Sequence, residues 1–249
     1  MAPLALVTGG CRRLGAHIAA RLAEAGYDLA LHSGSGAAAE PWLVERLAGS
    51  RHALFTADLN DAGAVARLVP EVAARFGRPI DLLVNSASRF AAIGTDGGEP
   101  DTLLDHLAVN LAAPVALARA VAAGAAGAAI VNILDQRIAN PPVDQQAYTI
   151  SKQALAQATR TLALALAPAA RVNGVAPGLV LPTPDYAPGQ VERIGGMMPL
   201  GRNARADEVA DAVLWLAQAR AVTGQTIFVD GGAHLKSFGR DFVHLARDA

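Results

Sequence analysis

Short apolar runs alternate with helical patterns along almost the whole of this 249-residue chain. The apolar runs, which have the length and composition of strands, cover residues 4–8, 28–32, 53–57, 81–85, 128–133, 172–176 and 226–229. The helical patterns cover residues 14–25, 40–48, 62–76, 101–123, 145–167 and 207–218. Near-continuous apolar strands that alternate with helices are typical of a parallel sheet covered on both faces. The sequence therefore predicts an α/β fold: a single Rossmann-type doubly wound domain over residues 1–249, with a seven-stranded parallel sheet.

Composition narrows the possible partners and compartments. The formal net charge is −1 and only 17% of residues are charged, so no nucleic-acid partner is expected. Cys11 is the one cysteine, which excludes a disulfide within the chain and fits a reducing compartment. The longest apolar run, 120–131, is too short to span a bilayer. We therefore expect a cytoplasmic protein without a membrane partner, and the histidine spacing predicts no metal site.

The first predicted strand leads directly into a glycine-containing loop and then a helix. The loop reads Thr8-Gly9-Gly10-Cys11-Arg12-Arg13-Leu14-Gly15. Gly9 permits a tight turn and Gly15 permits close packing of the helix on the strand. The helix N-terminus presents free N–H groups and a positive dipole end to a pyrophosphate. This strand–loop–helix context predicts a dinucleotide-binding site rather than an ordinary turn.

The charges around this loop favour one nicotinamide cofactor over the other. A site for NAD usually has a carboxylate after the second strand to bind the ribose hydroxyls. Here that strand ends in His32 and Ser33, without a carboxylate, while Arg12 and Arg13 lie in the loop. Cations and hydroxyls suit a 2′-phosphate, so NADPH/NADP is the predicted cofactor. The alternative is that both arginines simply point into solvent.

Further cofactor contacts are expected where the third and fourth strands end. Asp58, followed by Leu59, could accept a hydrogen bond from the adenine amino group. Capping of the helix that starts near Asp61 is an equally good interpretation of Asp58. The fourth strand ends in Asn85-Ser86-Ala87, where small residues would let a cofactor approach closely.

Tyr148 and Lys152 are four residues apart on a predicted helix and therefore project from one face. An ammonium beside a phenol favours the phenolate, so we expect Lys152 to lower the pKa of Tyr148 and make it a usable acid–base group. Asp135 follows the fifth strand, at the sheet edge where open α/β proteins bind ligands. Asp144 could reach the same site, but a cap for the helix that begins near residue 145 is the simpler interpretation.

The stretch 177–196 contains four prolines and is predicted to be irregular. A loop of that length in a compact domain is usually functional or disordered. Its position after the sixth strand makes a substrate lid plausible, and a poorly ordered surface loop is the alternative.

At these residues the sequence resembles the short-chain dehydrogenase/reductase superfamily. The shared features extend over almost the whole chain: Thr8-Gly9 to Gly15, Asp58-Leu59, Asn85-Ser86-Ala87, Asn110, Tyr148 with Lys152, Asn173 to Pro177-Gly178, and Val229-Asp230-Gly231-Gly232. The resemblance implies hydride transfer from a bound nicotinamide. It also implies that Pro177 and Gly178 contact the cofactor.

Within the superfamily the chain looks most like the pteridine reductases and bacterial dihydromonapterin reductases. Arg13 stands where most members have glycine, and Asp135 stands where most have a catalytic serine. The segment from Asn85 to Phe90 resembles the one whose serine and phenylalanine hold the pterin, which corresponds to Ser88 and Phe90.

This resemblance implies roles for the remaining site residues. Asn110 would help hold Lys152 and a proton-relay water, and Lys152 would also bind the nicotinamide ribose. Tyr148 and Asp135 would contact the substrate and supply protons. The family also implies a homotetramer.

Two rival functions stay open at this point. The chain could be an NADPH-dependent reductase of a carbonyl or imine small molecule, since an ionised Asp135 argues against simple ketones without excluding them. It could also be an NADP-binding sensor without turnover. The role of Arg89, which places a cation beside the expected pterin site, has no explanation from sequence.

Overall fold

Seven parallel strands form one sheet in the order β3-β2-β1-β4-β5-β6-β7. The strands are β1 Leu4–Thr8, β2 Asp28–Ser33, β3 His52–Thr56, β4 Leu82–Asn85, β5 Ala128–Ile133, β6 Ala170–Pro177 and β7 Thr226–Val229. The α-helices are α1 Arg13–Glu24, α2 Pro41–Arg46, α3 Ala62–Phe76, α4 Pro100–Leu107, α5 Ala113–Gly124, α6 Gln146–Ala165, α7 Gln190–Met197 and α8 Ala206–Gln218. The computed structural model describes residues 1–90 and 100–247. The predicted α/β fold with a seven-stranded parallel sheet is confirmed.

The alternation of side chains along each strand builds a separate core on each face of the sheet. In β1, Ala5 and Val7 join the core that includes α1 and α8, whereas Leu4 and Leu6 join the core that includes α3 and α5. All five residues of this central strand are buried. Apolar side chains on both faces explain why the strand reads as a continuous apolar run rather than an alternating one.

The strand order reverses direction at β1, which pairs with β2 on one side and with β4 on the other. The loops after β1 and β4 leave the sheet on opposite sides of this point and open a crevice at its carboxyl edge. Open α/β sheets bind their ligands in such a crevice.

Two helical predictions differ from the structure. The pattern 101–123 is not one α-helix, because a π-helical turn, Ala108–Ala112, separates α4 from α5, and the N–H of Ala113 donates to the carbonyl of Ala108. The stretch 177–196 is only partly irregular, because α7 begins at Gln190 and occupies its last third. That helix is stabilised by tertiary packing, since Ile194 and Met198 are buried against Ala233 and Phe242.

One helical stretch, Thr102–Gly124, is apolar and long enough to cross a membrane by length and composition, with a mean hydropathy of 1.6. Core helices of globular domains pass the same test. Its second half, α5, packs against α3 and against strands β4 and β5.

Candidate active site

A cavity of about 750 Å³ opens at the carboxyl edge of the sheet. It extends from the loop after β1, past the ends of β2, β4 and β5, to α6 and to residues 241–243 near the C-terminus. Most of the predicted site residues border it: Gly9, Arg12, Arg13, Leu14, Gly15, His32, Ser33, Asp58, Leu59, Ser86, Ala87, Ser88, Phe90, Asp135, Tyr148, Lys152, Pro177 and Gly178. The fold therefore brings together residues that lie far apart in sequence.

The loop after β1 leaves no room for side chains at Gly9 and Gly15. Gly9 has a φ of +65°, and a Cβ there would lie 3.0 Å from the Cα of Ala87. A Cβ on Gly15 would lie 2.8 Å from the carbonyl carbon of Gly9 and nearer still to its oxygen. The absence of side chains lets the backbone line the cavity closely, as a pyrophosphate site requires.

The side chain of His32 holds the loop after β1 in place through hydrogen bonds. Its Nδ1 accepts from the N–H of Gly9 at 3.3 Å, and its Nε2 lies 2.9 Å from the carbonyl of Ala57, to which it donates. Burial is the main cause that lowers the pKa of His32, which keeps the ring neutral. Both ring nitrogens are therefore engaged by the protein, so His32 holds the loop instead of offering a hydrogen bond to a cofactor.

The two arginines of the loop border the cavity and are exposed. Nη2 of Arg13 donates to the carbonyl of Leu181 at 2.7 Å, which ties the loop after β1 to the loop after β6. The backbone N–H of Arg13 donates to Glu40, and this bond is the largest cause that lowers the pKa of Glu40. Binding of a 2′-phosphate by Arg12 and Arg13 stays a prediction.

Two expected cofactor residues have structural roles. Asn85 does not border the cavity, because its buried Nδ2 donates to Oδ1 of Asn132 at 2.8 Å and thereby links β4 to β5. Asp58 borders the cavity but accepts from the N–H and Nδ2 of Asn60. The cap of α3 is Asp61, which accepts from Gly63, so the capping interpretation of Asp58 is wrong.

Tyr148 and Asp135 form the central hydrogen bond of the site. The hydroxyl of Tyr148 donates to Oδ2 of Asp135 at 3.0 Å. The ring of Phe90 lies edge-on to the ring of Tyr148, with centroids 4.8 Å apart, and Phe90 is 45% exposed. A phenol, a carboxylate and an open aromatic face therefore meet at one end of the cavity.

The expected effect of Lys152 on Tyr148 is wrong in this structure. The pKa of Tyr148 is raised well above its ordinary value, first because the phenol is buried and next because the charge of Asp135 opposes a phenolate. The raised pKa keeps the phenol protonated at neutral pH, so its hydroxyl can act as a proton donor and not as a base, although it is a weaker acid than a free tyrosine.

Lys152 is held by the main chain rather than by a side chain. Its Nζ donates to the carbonyl of Ile133 at 2.8 Å, and the residue is 2% exposed. Burial lowers the pKa of Lys152 from 10.5 to about 8, with Asp135 acting in the opposite direction.

The lowered pKa of Lys152 makes the free energy of unfolding depend on pH. Between pH 8 and 10.5 the unfolded chain keeps a proton at Lys152 that the folded chain releases, so the free energy of unfolding rises with pH in that window. Relative to Lys152→Met, the wild type should gain about 1.4 kcal/mol per pH unit there. Denaturant unfolding of both proteins from pH 7 to 10 measures it. Parallel pH dependences of the two proteins would contradict the assignment.

Asn110 lies in the π-helical turn and organises the segment that carries Ser88. Its Oδ1 accepts from the N–H of Arg89 at 2.7 Å and from Oγ of Ser88 at 3.3 Å. Its Nδ2 donates to the carbonyl of Arg89 and to Oγ of Ser151. These bonds hold the segment around Ser88 and Arg89 directly, and a role of Asn110 in holding Lys152 together with a water stays a prediction.

Two charged residues that sequence analysis left open find their partners. Nη2 of Arg89 lies 2.9 Å from Asp105 of α4, with both side chains about half exposed, so this cation points away toward the surface. Asp144 accepts from the N–H of Asp241 and pairs with Arg240. It does not cap α6, whose first turn follows Gln145 without a side-chain cap.

Sequence reasoning missed three polar residues that border the cavity near Asp135 and Tyr148. Arg137, Tyr186 and Asp241 border it, and Arg137 pairs with both Asp135 and Asp241. The position of Arg137, two residues after Asp135, could have indicated that it lies in the site. No sequence pattern indicated Asp241, because it lies 104 residues after Arg137.

Within residues 1–90 and 100–247, no cluster of three His, Cys, Asp or Glu side chains has the geometry of a metal site.

Comparison with known proteins shows the family to which this chain belongs. A family model described as enoyl-(acyl carrier protein) reductase matches residues 10–234. Pteridine reductase 1 of Leishmania tarentolae is 34% identical, over 94% of this chain and 97% of that protein. The (3R)-3-hydroxyacyl-CoA dehydrogenase of Canis lupus familiaris is 32% identical, over 93% of this chain and 96% of that protein.

A solved structure is similar over the same extent. FolM alternative dihydrofolate reductase 1 from Brucella canis, complexed with NADP, has a TM-score of 0.83 and 37% identity, covering 94% of this chain and 95% of that one. The matched lengths include the loop after β1, Asp135 and the Tyr148–Lys152 pair. The chain therefore belongs to the short-chain dehydrogenase/reductase superfamily, as an oxidoreductase similar to pteridine reductase.

Proposed function

We propose that this protein reduces a dihydropterin to its tetrahydro form with NADPH. Membership of the superfamily makes it an NADP-dependent reductase, in line with the NADP complex of the Brucella canis relative. The pterin substrate is the finer part of the proposal. The observation that carries it is the hydrogen bond from Tyr148 to Asp135. Asp135 is a carboxylate at the position where most members of this superfamily have a catalytic serine.

The residues around the loop after β1 fit a dinucleotide phosphate. Gly9 and Gly15 leave a cradle that Cβ atoms would fill, and α1 points its N-terminus toward it. Arg12, Arg13 and Ser33 would hold the 2′-phosphate, since β2 ends without a carboxylate. When bound, NADPH supplies the hydride.

The substrate end fits a flat ring with N–H and amino groups. Asp135 can accept from such donors, whereas an ionised carboxylate repels the oxyanion that forms when a ketone is reduced. Phe90 offers an exposed aromatic face for offset stacking with a heteroaromatic ring.

The chain's own residues would supply the proton of the reaction. Reduction of a C=N bond consumes one hydride at carbon and one proton at nitrogen. Tyr148, whose raised pKa keeps the phenol protonated, donates that proton at its hydroxyl. Asp135 orients the hydroxyl, and Lys152 provides positive charge nearby.

The proposal is tested by following NADPH oxidation with dihydromonapterin, dihydrobiopterin and dihydrofolate, and by repeating each assay with NADH. Turnover of at least one of these pterins, with preference for NADPH, is the expected result. Turnover of a ketone without turnover of any pterin would remove the pterin assignment.

The rival substrate class, a carbonyl or imine small molecule, is favoured by the relatives themselves, which include the hydroxyacyl-CoA dehydrogenase described above. Asp135→Ser separates the two classes. For a pterin reductase we expect kcat/KM to fall by roughly 10²-fold or more, because the acceptor for ring N–H groups and the partner of Tyr148 are weakened. For a carbonyl reductase the same change should preserve or improve turnover.

We also propose a homotetramer and a cytoplasmic location, both expected from the sequence. Exposed apolar side chains on neighbouring helices, Leu104 of α4 and Ile150 and Leu164 of α6, support contacts between copies. Size-exclusion chromatography with light scattering tests the assembly.

A further inference from the structure

The side chain of Arg137 joins the C-terminal part of the chain to the central hydrogen bond of the site. Its Nε lies 3.2 Å from Oδ1 of Asp135, and its Nη2 donates to Oδ2 of Asp241 at 2.6 Å. The other oxygen of Asp135 accepts from Tyr148. One guanidinium therefore links Asp241, Asp135 and Tyr148 in a row.

This guanidinium is buried at an energetic cost. The side chain of Arg137 is 8% exposed and that of Asp241 is 5% exposed. Few arginine side chains are buried to this extent. The free-energy cost of desolvating a buried ion pair often exceeds the gain from the attraction between its charges. Such a pair therefore contributes little to the stability of the fold. A role in the neighbouring site is a better reason for its presence.

Arg137 is placed to act through its neighbours rather than on a substrate. Its guanidinium carbon lies 4.8 Å from the ring centroid of Tyr148 and 5.8 Å from that of Phe90, so two aromatic rings cover it. Its third nitrogen, Nη1, is shielded from solvent and has no hydrogen-bond partner among the described residues. A substrate in the cavity would meet the rings and Asp135 before this nitrogen.

The C-terminal partner is itself firmly held. Oδ1 of Asp241 accepts from the N–H of Val243, and the N–H of Asp241 donates to Asp144. Nε2 of Gln190, from α7, donates to the carbonyls of Val243 and Leu245 at 3.0 and 2.6 Å. Asp241 is thus a fixed point against which the guanidinium can be oriented.

We propose that Arg137 is a positioning residue, which directs the Asp135 carboxylate toward the hydroxyl of Tyr148, and that Asp241 holds Arg137 in place for this purpose. The inference rests on the proposed function in one respect, the use of the Asp135–Tyr148 pair for proton delivery. It assigns the segment around Asp241 to the working part of the site.

The electrostatics of the surroundings agree with this assignment. The charged and titratable groups that face Asp135 are Arg137 beside it, Tyr148 and Lys152 from α6, Tyr186 from the loop after β6, and Asp241. Asp241 is negative like Asp135. Without Arg137, the partly buried carboxylate of Asp135 and the buried carboxylate of Asp241 would face each other, with Lys152 as the remaining cation among these groups.

Arg137→Met tests the proposal by a measurement that needs no substrate. The chain has three tyrosines, so labelling tyrosine with ¹³C at the ring carbon that bears the hydroxyl gives three signals, and Tyr148→Phe identifies that of Tyr148. The chemical shift of this carbon at about pH 7 reports the hydrogen bond from the Tyr148 hydroxyl to Asp135. In Arg137→Met we expect this signal to move toward its position in Asp135→Ser, because a carboxylate that the guanidinium no longer holds is not directed at the hydroxyl.

Activity provides the second measurement. With the substrate that the wild type turns over, kcat/KM of Arg137→Met should fall by roughly ten- to hundredfold, mainly through kcat, because the proton donor is misdirected while the binding surfaces remain. Asp241→Asn keeps the shape and one acceptor, so it should shift both readouts the same way by a smaller amount. This milder variant decides the matter if Arg137→Met does not fold.

Arg78→Met is the matched control. Arg78 and Asp28 form another shielded pair, 2.6 Å apart with the arginine side chain 13% exposed, at the opposite edge of the sheet. Its loss should lower the free energy of unfolding and leave the Tyr148 signal and kcat/KM as in the wild type.

The outcomes separate this inference from the proposed function. If the wild type reduces no pterin, the proposed function fails, and the Tyr148 signal still decides the role of Arg137. If folded Arg137→Met or Asp241→Asn gives a Tyr148 signal at the wild-type position, the positioning role is overturned, whatever the substrate.

Discussion

Tyr148→Phe is expected to lower kcat by roughly 10²–10⁴-fold while NADPH affinity stays within about threefold of the wild type. The change removes the hydroxyl that donates to Asp135 and keeps the ring. The ring contacts with Phe90, at 4.8 Å, and with the guanidinium of Arg137 should therefore persist. Single-turnover oxidation of NADPH measures the chemical step, and a fluorescence titration measures binding.

Tyr27→Phe is the control for this change. Tyr27 borders a separate cavity beside Asp81 and Arg171, at the amino edge of the sheet, away from α6. We expect its kcat to equal that of the wild type. Wild-type turnover in Tyr148→Phe would rule out the phenol as the proton donor and would require another group in the cavity, with Tyr186 as the next candidate.

Gly15→Ala is expected to weaken NADPH binding by roughly a hundredfold or more and to lower the melting temperature. The added methyl group would lie 2.8 Å from the carbonyl carbon of Gly9 and 3.1 Å from the Cα of Gly10, which are backbone atoms. No flexible side chain can move aside, so the loop itself has to shift. A displaced loop no longer presents its N–H groups to the pyrophosphate.

Gly124→Ala provides the matched comparison, because a Cβ at the end of α5 meets nothing within 4 Å. It should bind NADPH as the wild type does, with an equal or slightly higher melting temperature. If Gly15→Ala bound NADPH with wild-type affinity, the loop after β1 would not be the pyrophosphate site.

Most of the fold could be predicted because the apolar runs are unusually plain. Strands β1, β5 and β7 begin and end where the sequence pattern places them, since each is a short, mostly apolar run. The helix α7 could not be predicted. Its neighbourhood is rich in proline, and Gly195 and Gly196 are poor helix formers, so its stability comes from distant contacts with Ala233 and Phe242.

The site was predictable where function depends on local spacing. Gly9, Gly15, Tyr148 and Lys152 are set by short motifs, and each of them borders the cavity as expected. Spacing does not show which neighbour dominates a side chain's electrostatics. For Tyr148 that neighbour is Asp135 together with burial, so the direction of its pKa shift differs from the one that Lys152 alone implied.

Contacts across the chain were beyond the reach of the sequence. For Asn85 and Asn110, the directions of the side-chain amides depend on Asn132 and Arg89, which only the fold brings near. Likewise, nothing in the sequence connects Arg137 with Asp241.

The π-helical turn at Ala108–Ala112 makes chain length, as well as residue type, a determinant of the site. Deleting one residue there would convert the turn to a regular α-helical one and remove the widened backbone that carries Asn110. Asn110 would then be displaced from Ser88 and Arg89, which it now binds. Homologous chains should therefore accommodate insertions and deletions before α4, and keep the residue count between α4 and α5 constant.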